Sequence, residues 1–343
     1  MRASTGGRAE MEREETMFSA YARFMRERYS YVISGTLILA AIWGLFSSAP
    51  GLLLGRLSAL FMVTMIAAMG FTITLKSLAM AAKDWRSFSL GMGLNFVLAP
   101  LLSWLLARAV FSGHSDLAVG VILIGVVPCA GMAMVWVGLL DGDVPLATVI
   151  NASTMILAPF LIPTFMLFFA GSLMAVDTIG MFRTVFYTVL LPLVGGIALR
   201  EWIGRRVDLK ECIPVMPAVS GTAAVFLMFV AVNTQIPKLA ENLSLLIPLV
   251  AVTIIIFPVL FWSAHLVGKN FLTPRKDIAL TYSAGMKNLP IALGMALMSF
   301  KGLSGLPLAA GFIFQMITAV CFYRFFRRVQ AQPRSSGSGD GPV

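Results

Sequence analysis

The sequence is poor in charged residues, in cysteine and in histidine. Only 12% of its 343 residues are charged and 58% are hydrophobic, whereas soluble domains carry about 25% charged residues. A single soluble domain cannot bury so much apolar surface, so the composition predicts a lipid bilayer as the surrounding medium. The three cysteines, Cys129, Cys212 and Cys321, show neither CxxC nor Cys/His spacing. Neither a disulfide framework nor a metal site is expected, and no cofactor is expected.

Acidic residues are missing from the interior of every long apolar stretch. An enzyme acting within the membrane would need a nucleophile with a base, or paired carboxylates. Neither arrangement is visible, and no histidine lies in the middle of an apolar stretch. The sequence therefore argues against an enzyme.

Ten apolar stretches are each close to the ~20 residues that a helix needs to cross the bilayer core. We call them spans 1 to 10, and they cover approximately 32–54, 57–75, 87–110, 116–140, 144–171, 180–199, 214–235, 244–267, 278–300 and 305–325. The predicted fold is an all-α polytopic membrane protein with ten transmembrane helices. Residues 1–30 are expected to form a cytoplasmic N-terminal tail. Residues 329–343, rich in Gly, Ser and Pro, are expected to form a disordered C-terminal tail.

Lysine and arginine are distributed unevenly between the two sides of the predicted bundle. Twenty of the 26 lie in the two tails or in the loops after spans 2, 6 and 8, five lie on the other side, and one, Lys287, lies within span 9. Because cytoplasmic loops carry an excess of positive charge, both termini are predicted to be cytoplasmic, in a plasma (inner) membrane. This topology explains the net charge of +10, and no nucleic-acid partner is expected.

The two halves of the chain share short motifs in the same order. A Pro and a Trp stand four residues apart in spans 3 and 8, an Ala-Gly-Met motif stands in spans 4 and 9, and spans 5 and 10 open with Pro-Leu-Ala. The offsets are 158, 154 and 162 residues. We therefore predict two five-helix repeats, at 31–173 and 174–328, which must be inverted because five is odd. Inverted repeats are typical of secondary transporters, which bind substrate at the repeat interface through broken helices.

The Gly-Met motifs lie near the middle of spans 4 and 9. At ~1.5 Å per residue, Cys129 and Lys287 both fall near the centre of a ~30 Å core. Proline removes a helix hydrogen bond next to Cys129, and the glycines let the backbone open or pack closely. We predict that both helices are broken there, with the irregular backbone formed by Pro128, Gly131, Met132, Gly285 and Met286.

Lys287 stands in the middle of an apolar span with no acidic residue nearby in sequence. An ammonium at mid-membrane depth costs roughly 2.5–3.5 kcal/mol on insertion scales. Its stem spans only about 6 Å, too short to reach the interface from that depth. Such a group is retained when it lines a cavity, pairs with another group or has a function, so we expect Lys287 to bind a substrate or an ion.

Two stretches carry a resemblance to a known family. The stretch 127–136, Val-Pro-Cys-Ala-Gly-Met-Ala-Met-Val-Trp, resembles helix 4 of the bile acid:sodium symporter superfamily and is most similar to its arsenical-resistance branch. The stretch 282–293, Tyr-Ser-Ala-Gly-Met-Lys-Asn-Leu-Pro-Ile-Ala-Leu, resembles helix 9 of the bile-acid branch. The likeness covers nearly all of 31–328. It implies a core of spans 3–5 and 8–10, with spans 4 and 9 unwound and crossing, and a panel of spans 1, 2, 6 and 7 that moves against the core in alternating access.

The sequence departs from the sodium-coupled members of that superfamily where oxygen ligands are expected. The resemblance implies a Ser-Asn pair, a Glu, two Gln and a Thr at positions that here hold Ala133, Met134, Ser283, Lys287, Asn95 and Asn151. Sodium needs several oxygen ligands and is repelled by an ammonium. We therefore predict that the usual sodium sites are lost and that transport is independent of sodium.

The sequence leaves the substrate open between two candidates. A small organic anion would pair with Lys287 and with half-helix N-termini. Arsenite, a neutral species, would instead use Cys129, although Pro290 replaces an acidic residue of the arsenical-resistance branch. Candidate polar groups of the site are Asn95, Asn151, Ser283 and Asn288. Proton coupling through Lys287 is a further expectation, and a channel is a weaker alternative.

Overall fold

The computed structural model of the protein describes residues 17–74, 84–173, 177–209, 212–241, 243–300 and 302–331. Within these ranges every regular element is a helix. The helices are α1 (Met17–Phe46), α2 (Ala49–Gly55), α3 (Ser58–Thr72), α4 (Trp85–Val110), α5 (Ser115–Val126), α6 (Met132–Leu139), α7 (Val144–Ala170), α8 (Thr178–Gly204), α9 (Met216–Ala240), α10 (Leu246–Phe271), α11 (Pro274–Gly285), α12 (Leu289–Ser299) and α13 (Leu306–Ala331). Short π-helical turns, Leu94–Leu98 and Phe186–Leu190, interrupt α4 and α8.

Seven of the described helices are long and apolar enough to cross a membrane. The bent pair α2–α3 becomes an eighth span if it is counted as one, and α5 and α12 are shorter apolar helices. Large apolar side chains such as Phe46, Phe168 and Ile247 are at least 78% exposed. A soluble protein rarely exposes so many apolar side chains. The predicted class, an all-α polytopic membrane protein, is therefore confirmed.

Helix α1 begins at Met17, well before the predicted start of span 1 at residue 32. Its first turns are held by packing, because Ala22 and Met25 are buried against Val215 and Ala218 near the start of α9. The Tyr21 hydroxyl also donates a hydrogen bond to the Ala218 carbonyl at 3.1 Å. The predicted tail therefore includes helical residues from position 17 onward. Its first sixteen residues, and those of the C-terminal tail from position 332, lie outside the described ranges.

Span 4 is broken at the predicted place. Helix α5 ends at Val126, and α6 begins at Met132. Val127 has an extended backbone, with ψ of 155°, because the proline ring of Pro128 disfavours helical backbone at the preceding residue. The break therefore follows directly from the local sequence.

Span 9 is broken as well, between Gly285 at the end of α11 and Leu289 at the start of α12. Asn288 caps α12, since its side chain accepts a hydrogen bond from the Ile291 N–H at 3.4 Å. Pro290 follows in the first turn, where a missing N–H is harmless. The predicted role of Asn288, satisfying backbone groups freed by the break, is confirmed.

The helices pack in two groups. Helix α9 packs extensively against α1, α2 and α3, and α3 also packs against α8. In the other group, α10 packs against α11 and α13, α4 against α5, and α11 against α6 and α7. Helix α12 contacts both groups, through α3 and α9 on one side and α13 on the other. The two breaks lie within the second group.

Candidate functional site

The two breaks meet and satisfy each other's backbone groups. Cys129 and Lys287 form an isolated antiparallel bridge. The flanking hydrogen bonds run from the Ala130 N–H to the Met286 carbonyl and from the Asn288 N–H to the Pro128 carbonyl, each at 2.9 Å. Non-helical backbone at membrane depth is tolerated only where it is buried in protein or lines a cavity. Pairing the breaks therefore offsets much of the cost of interrupting two helices.

Side chains of α7 hold the backbone of Cys129. The Asn151 Nδ2 donates to the Cys129 carbonyl at 2.9 Å, and the Cys129 N–H donates to the Thr154 Oγ1 at 3.2 Å. All three residues are at most 3% exposed. Asn151, predicted as a polar group of the site, thus acts on the backbone of the break. Thr154 was missed, because a threonine in an apolar helix usually bonds only to its own helix.

A single glutamine on α13 holds the backbone of Lys287. The Lys287 N–H donates to the Gln315 Oε1 at 2.8 Å, and the Gln315 Nε2 donates to the Lys287 carbonyl at 3.1 Å. Gln315 is 1% exposed. Sequence reasoning missed Gln315, although an amide in the middle of the apolar span 10 is a signal that could have identified it.

The Lys287 ammonium is fully buried and is bound by Asn95. Its Nζ donates to the Asn95 Oδ1 at 2.8 Å and lies 3.4 Å from the Asn95 carbonyl oxygen. The Asn95 Nδ2 donates to the carbonyls of Gly91 and Ser283, at 2.9 and 3.2 Å. Because both amide hydrogens are directed at carbonyls, Oδ1 is left to accept from the ammonium. No carboxylate forms an ion pair with Lys287 within the described ranges.

The π turn in α4 supplies the second oxygen. The Ala99 N–H donates to the Leu94 carbonyl, five residues back. Pro100 has no N–H to donate. The Asn95 carbonyl therefore lacks both helical donors that it would otherwise have, and the Lys287 ammonium lies near it. Neither the π turn nor this pairing of Asn95 with Lys287 was predicted.

The remaining predicted residues lie around this centre. Ser283 is fully buried, and its carbonyl accepts from Asn95. Asn288 is 4% exposed, and its Nδ2 lies 3.8 Å from the Met69 Sδ on α3. Gly285 serves close packing, since a Cβ there would collide with the Phe261 ring of α10. Helix α3, from the other group of helices, thus touches the crossing through Met69.

Cys129 is a solitary thiol at the crossing. Its Sγ lies 3.5 Å from the Ala130 carbonyl oxygen, and the residue is fully buried. Cys212 and Cys321 are exposed and free. Within the described ranges, no group of three or more His, Cys, Asp or Glu residues could hold a metal ion.

Helix termini add to the charge at the crossing. Helices α6 and α12 both begin there, so their N-termini, with partial positive charge, lie at the breaks. Helices α5 and α11 end there and contribute partial negative charge. Adding the Lys287 ammonium makes the centre positive in total, which favours an anion.

A helical membrane protein with two broken helices paired around a buried charge has the organisation of a transport protein. The family model described as Sodium Bile acid symporter family matches residues 59–242, more than half of the chain. The protein belongs to this family, and it is a transporter and not an enzyme.

Several curated relatives are similar over most of this chain. The probable sodium/metabolite cotransporter BASS3, chloroplastic, of Arabidopsis thaliana is 26% identical over 76% of this chain and 60% of its own length. Two Bacillus subtilis (strain 168) proteins are each 24% identical. One is the uncharacterized protein YbaS, over 69% of this chain and 78% of its own. The other is the uncharacterized sodium-dependent transporter YocS, over 73% and 76%.

Proposed function

We propose that the protein is a secondary active transporter that moves a small organic anion by alternating access, without sodium. The observation that carries this proposal is the Lys287 ammonium, held at the crossing by two oxygens of Asn95. A cation built into the chain replaces a cation that would otherwise have to bind. The names of two relatives, a sodium/metabolite cotransporter and a sodium-dependent transporter, describe those proteins, and this chain is proposed to differ from them.

The proposed architecture is ten membrane crossings in two inverted five-helix repeats, with both termini cytoplasmic in a plasma (inner) membrane. Counting α2–α3, α5–α6 and α11–α12 each as one crossing gives ten among the described helices. The two packing groups support a moving panel, formed by α1, α2, α3, α8 and α9, beside a core formed by the other helices. The excess of basic residues on one side supports the orientation.

Sodium independence follows from the chemistry at Lys287. Sodium would need several oxygen ligands, yet the Asn95 oxygens already face an ammonium. A second cation within a few ångströms would be repelled strongly in a low-dielectric interior. The substitutions to Ala133 and Met134 remove further oxygens on α6. The fixed charge is proposed to take the electrostatic role of the bound ion.

The substrate site is proposed at the N-termini of α6 and α12. These termini and the ammonium favour an anion, and Asn288 adds an amide that can bond to it. Met69 of α3 covers this place, since it contacts Asn288 and approaches Gly131. Movement of the panel would withdraw Met69 and open the site. Release and uptake of a proton by Lys287 during the cycle is the proposed route to proton coupling.

Arsenite transport depends on Cys129 alone, and this is its weakness. Trivalent arsenic prefers soft thiolate ligands, and the other two cysteines of the chain are exposed. Expression in an arsenite-sensitive strain tests this alternative directly. Protection by the wild-type gene that is lost in Cys129→Ser would support arsenite and count against the anion proposal.

The proposed function is tested by uptake into proteoliposomes. A panel of radiolabelled small carboxylates is offered with and without sodium, and with and without an inward proton gradient. We expect one or more carboxylates to be concentrated inside at a rate that sodium does not change. Stimulation by sodium at fixed pH would contradict the proposal, and flux that only equilibrates the two sides under every gradient would indicate a channel.

A further inference from the structure

A cavity of about 620 Å³ lies away from the crossing, between the two groups of helices. One wall is formed by α2, the α2–α3 turn and the C-terminal half of α9. The opposite wall is formed by the last turn of α12 and the loop after it. Its size is typical of sites for small organic molecules.

The charge of the cavity is positive. Arg56 and Lys238 both line it from the panel side, and both are exposed. The Lys238 Nζ also lies 3.4 Å from the Gly302 carbonyl oxygen on the opposite wall. Within the described part of the chain, no carboxylate lines the cavity. Two cations facing one space without an acidic neighbour favour an anionic ligand.

The cavity also contains polar groups without partners. Ser58 and Gln235 both line it and are 4% and 7% exposed. The Ser58 Oγ and the Gln235 Oε1 are buried and form no hydrogen bond with any described residue. A glutamine oxygen can only accept a hydrogen bond. A ligand that satisfies it must carry a hydroxyl or an N–H.

Helix α12 connects this cavity to the crossing. It begins next to Lys287 and ends at the cavity after eleven residues, a length of roughly 16 Å. Between the two ends, Gly294 packs against Met62 of α3 so closely that a Cβ would lie 2.7 Å from the Met62 Sδ. The cavity and the crossing are thus separate places on the two ends of one helix.

We propose that this cavity is a second binding site, which takes an organic anion carrying a hydrogen-bond donor. Arg56 and Lys238 bind the anionic group, and Gln235 and Ser58 bind the donor group. Apolar neighbours such as Val230 and Phe300 contact the body of the ligand. As an entrance site it rests on the proposed function, because it would hold the anion before transfer along α12. Binding itself does not depend on transport.

The probe for this site is 4-hydroxybenzoate, which combines a carboxylate, a hydroxyl and an apolar ring. Calorimetric titration uses the full chain in phosphatidylcholine nanodiscs, with benzoate and 4-hydroxybenzyl alcohol as matched probes. Arg56→Gln and Lys238→Gln should each weaken 4-hydroxybenzoate binding by about tenfold or more. Gln235→Leu should remove the preference for 4-hydroxybenzoate over benzoate. Arg183→Gln, an exposed cation outside the cavity, is the control and should bind normally.

The variant Lys287→Gln separates this site from the crossing. It should bind the probe with wild-type affinity even if it no longer transports. Binding lost in Lys287→Gln but kept in Arg56→Gln would place the probe at the crossing and overturn the cavity site, leaving the proposed function intact. Absence of binding, or equal affinity of all cavity variants, would also overturn it. Competition by phosphatidylglycerol in wild type but not in Arg56→Gln would support the anion site with a lipid headgroup as occupant.

Discussion

The two breaks are built in the same way but differ in charge. At the first, Thr154 and Asn151 satisfy the backbone N–H and carbonyl of Cys129. At the second, Gln315 does the same for Lys287. In both, uncharged side chains of the next long helix hold the broken backbone. Because the first break is held without a charge, the ammonium is not needed to hold the second. This difference teaches that the charge has another role, which we propose to be transport.

The largest effect on stability is expected from Gln315→Leu. It leaves two buried backbone groups of Lys287 without their partner, and each such group costs about 1–3 kcal/mol. The free energy of unfolding in detergent should fall by roughly 2–6 kcal/mol. Thr318→Val is the control on the same helix, because the Thr318 hydroxyl bonds only to the Phe314 carbonyl of α13. Equal losses in the two variants would show that Gln315 does not hold the break.

The first break should respond in the same way, in two steps. Asn151→Leu removes the partner of the Cys129 carbonyl, and Thr154→Val removes the partner of the Cys129 N–H. Each should lower the free energy of unfolding by about 1–3 kcal/mol. The double variant should approach the loss measured for Gln315→Leu, which sharpens the likeness of the breaks. A double variant as stable as wild type would break the comparison.

A smaller effect is expected from Cys129→Ala, the counterpart of a change at Lys287. The thiol makes only a weak contact with the Ala130 carbonyl, so the loss should be about 1 kcal/mol. Concentrative anion uptake in proteoliposomes should persist. A folded Cys129→Ala protein that cannot transport the anion would show that the first break also carries a functional side chain.

The smallest effect concerns the ion pair between Asp84 and Lys276, at 2.8 Å, which joins the starts of α4 and α11. Partial burial acts to raise the pKa of the Asp84 carboxyl, but hydrogen bonds from Lys276 and Ser87, with the Lys276 charge, hold it below its usual value. The stabilisation is therefore present above the ordinary pKa of about 4 and is lost as the pH falls through the lower folded value.

Asp84→Asn tests this sign. It should lower the melting temperature at neutral pH slightly, by less than about 1 kcal/mol, and make no difference in strong acid. The pair lies away from both breaks and should leave transport unchanged. A difference from wild type that grows as the pH falls would contradict the assignment.

Local sequence signals predicted both breaks, because proline and glycine act on the backbone next to them. Lys287 was predicted because a charge in an apolar span is costly wherever it lies. Asn95 and Asn151 were predicted as polar groups, but not their partners. Those partners are separated by 192 and 22 residues, so only tertiary packing brings them together.

The missed features share one cause. Gln315 lies in an apolar helix far along the chain, and nothing near it points to Lys287. Arg56 and Lys238 were interpreted as topology signals, yet they line one cavity because α2 and α9 pack together. Helix α1 extends to Met17 because its first turns pack on α9. Each outcome depends on contacts between segments that are distant in sequence.

The most direct test of the central claim measures flux and melting temperature of Lys287→Gln in parallel, with exposed Lys269→Gln as the control. Glutamine keeps a donor for the Asn95 Oδ1 but removes the charge. Since removal of an unpaired buried charge is often neutral or stabilising, the account predicts an unchanged or higher melting temperature together with loss of anion uptake. Full uptake by Lys287→Gln, or loss of uptake accompanied by an equal loss of thermal stability, would contradict it.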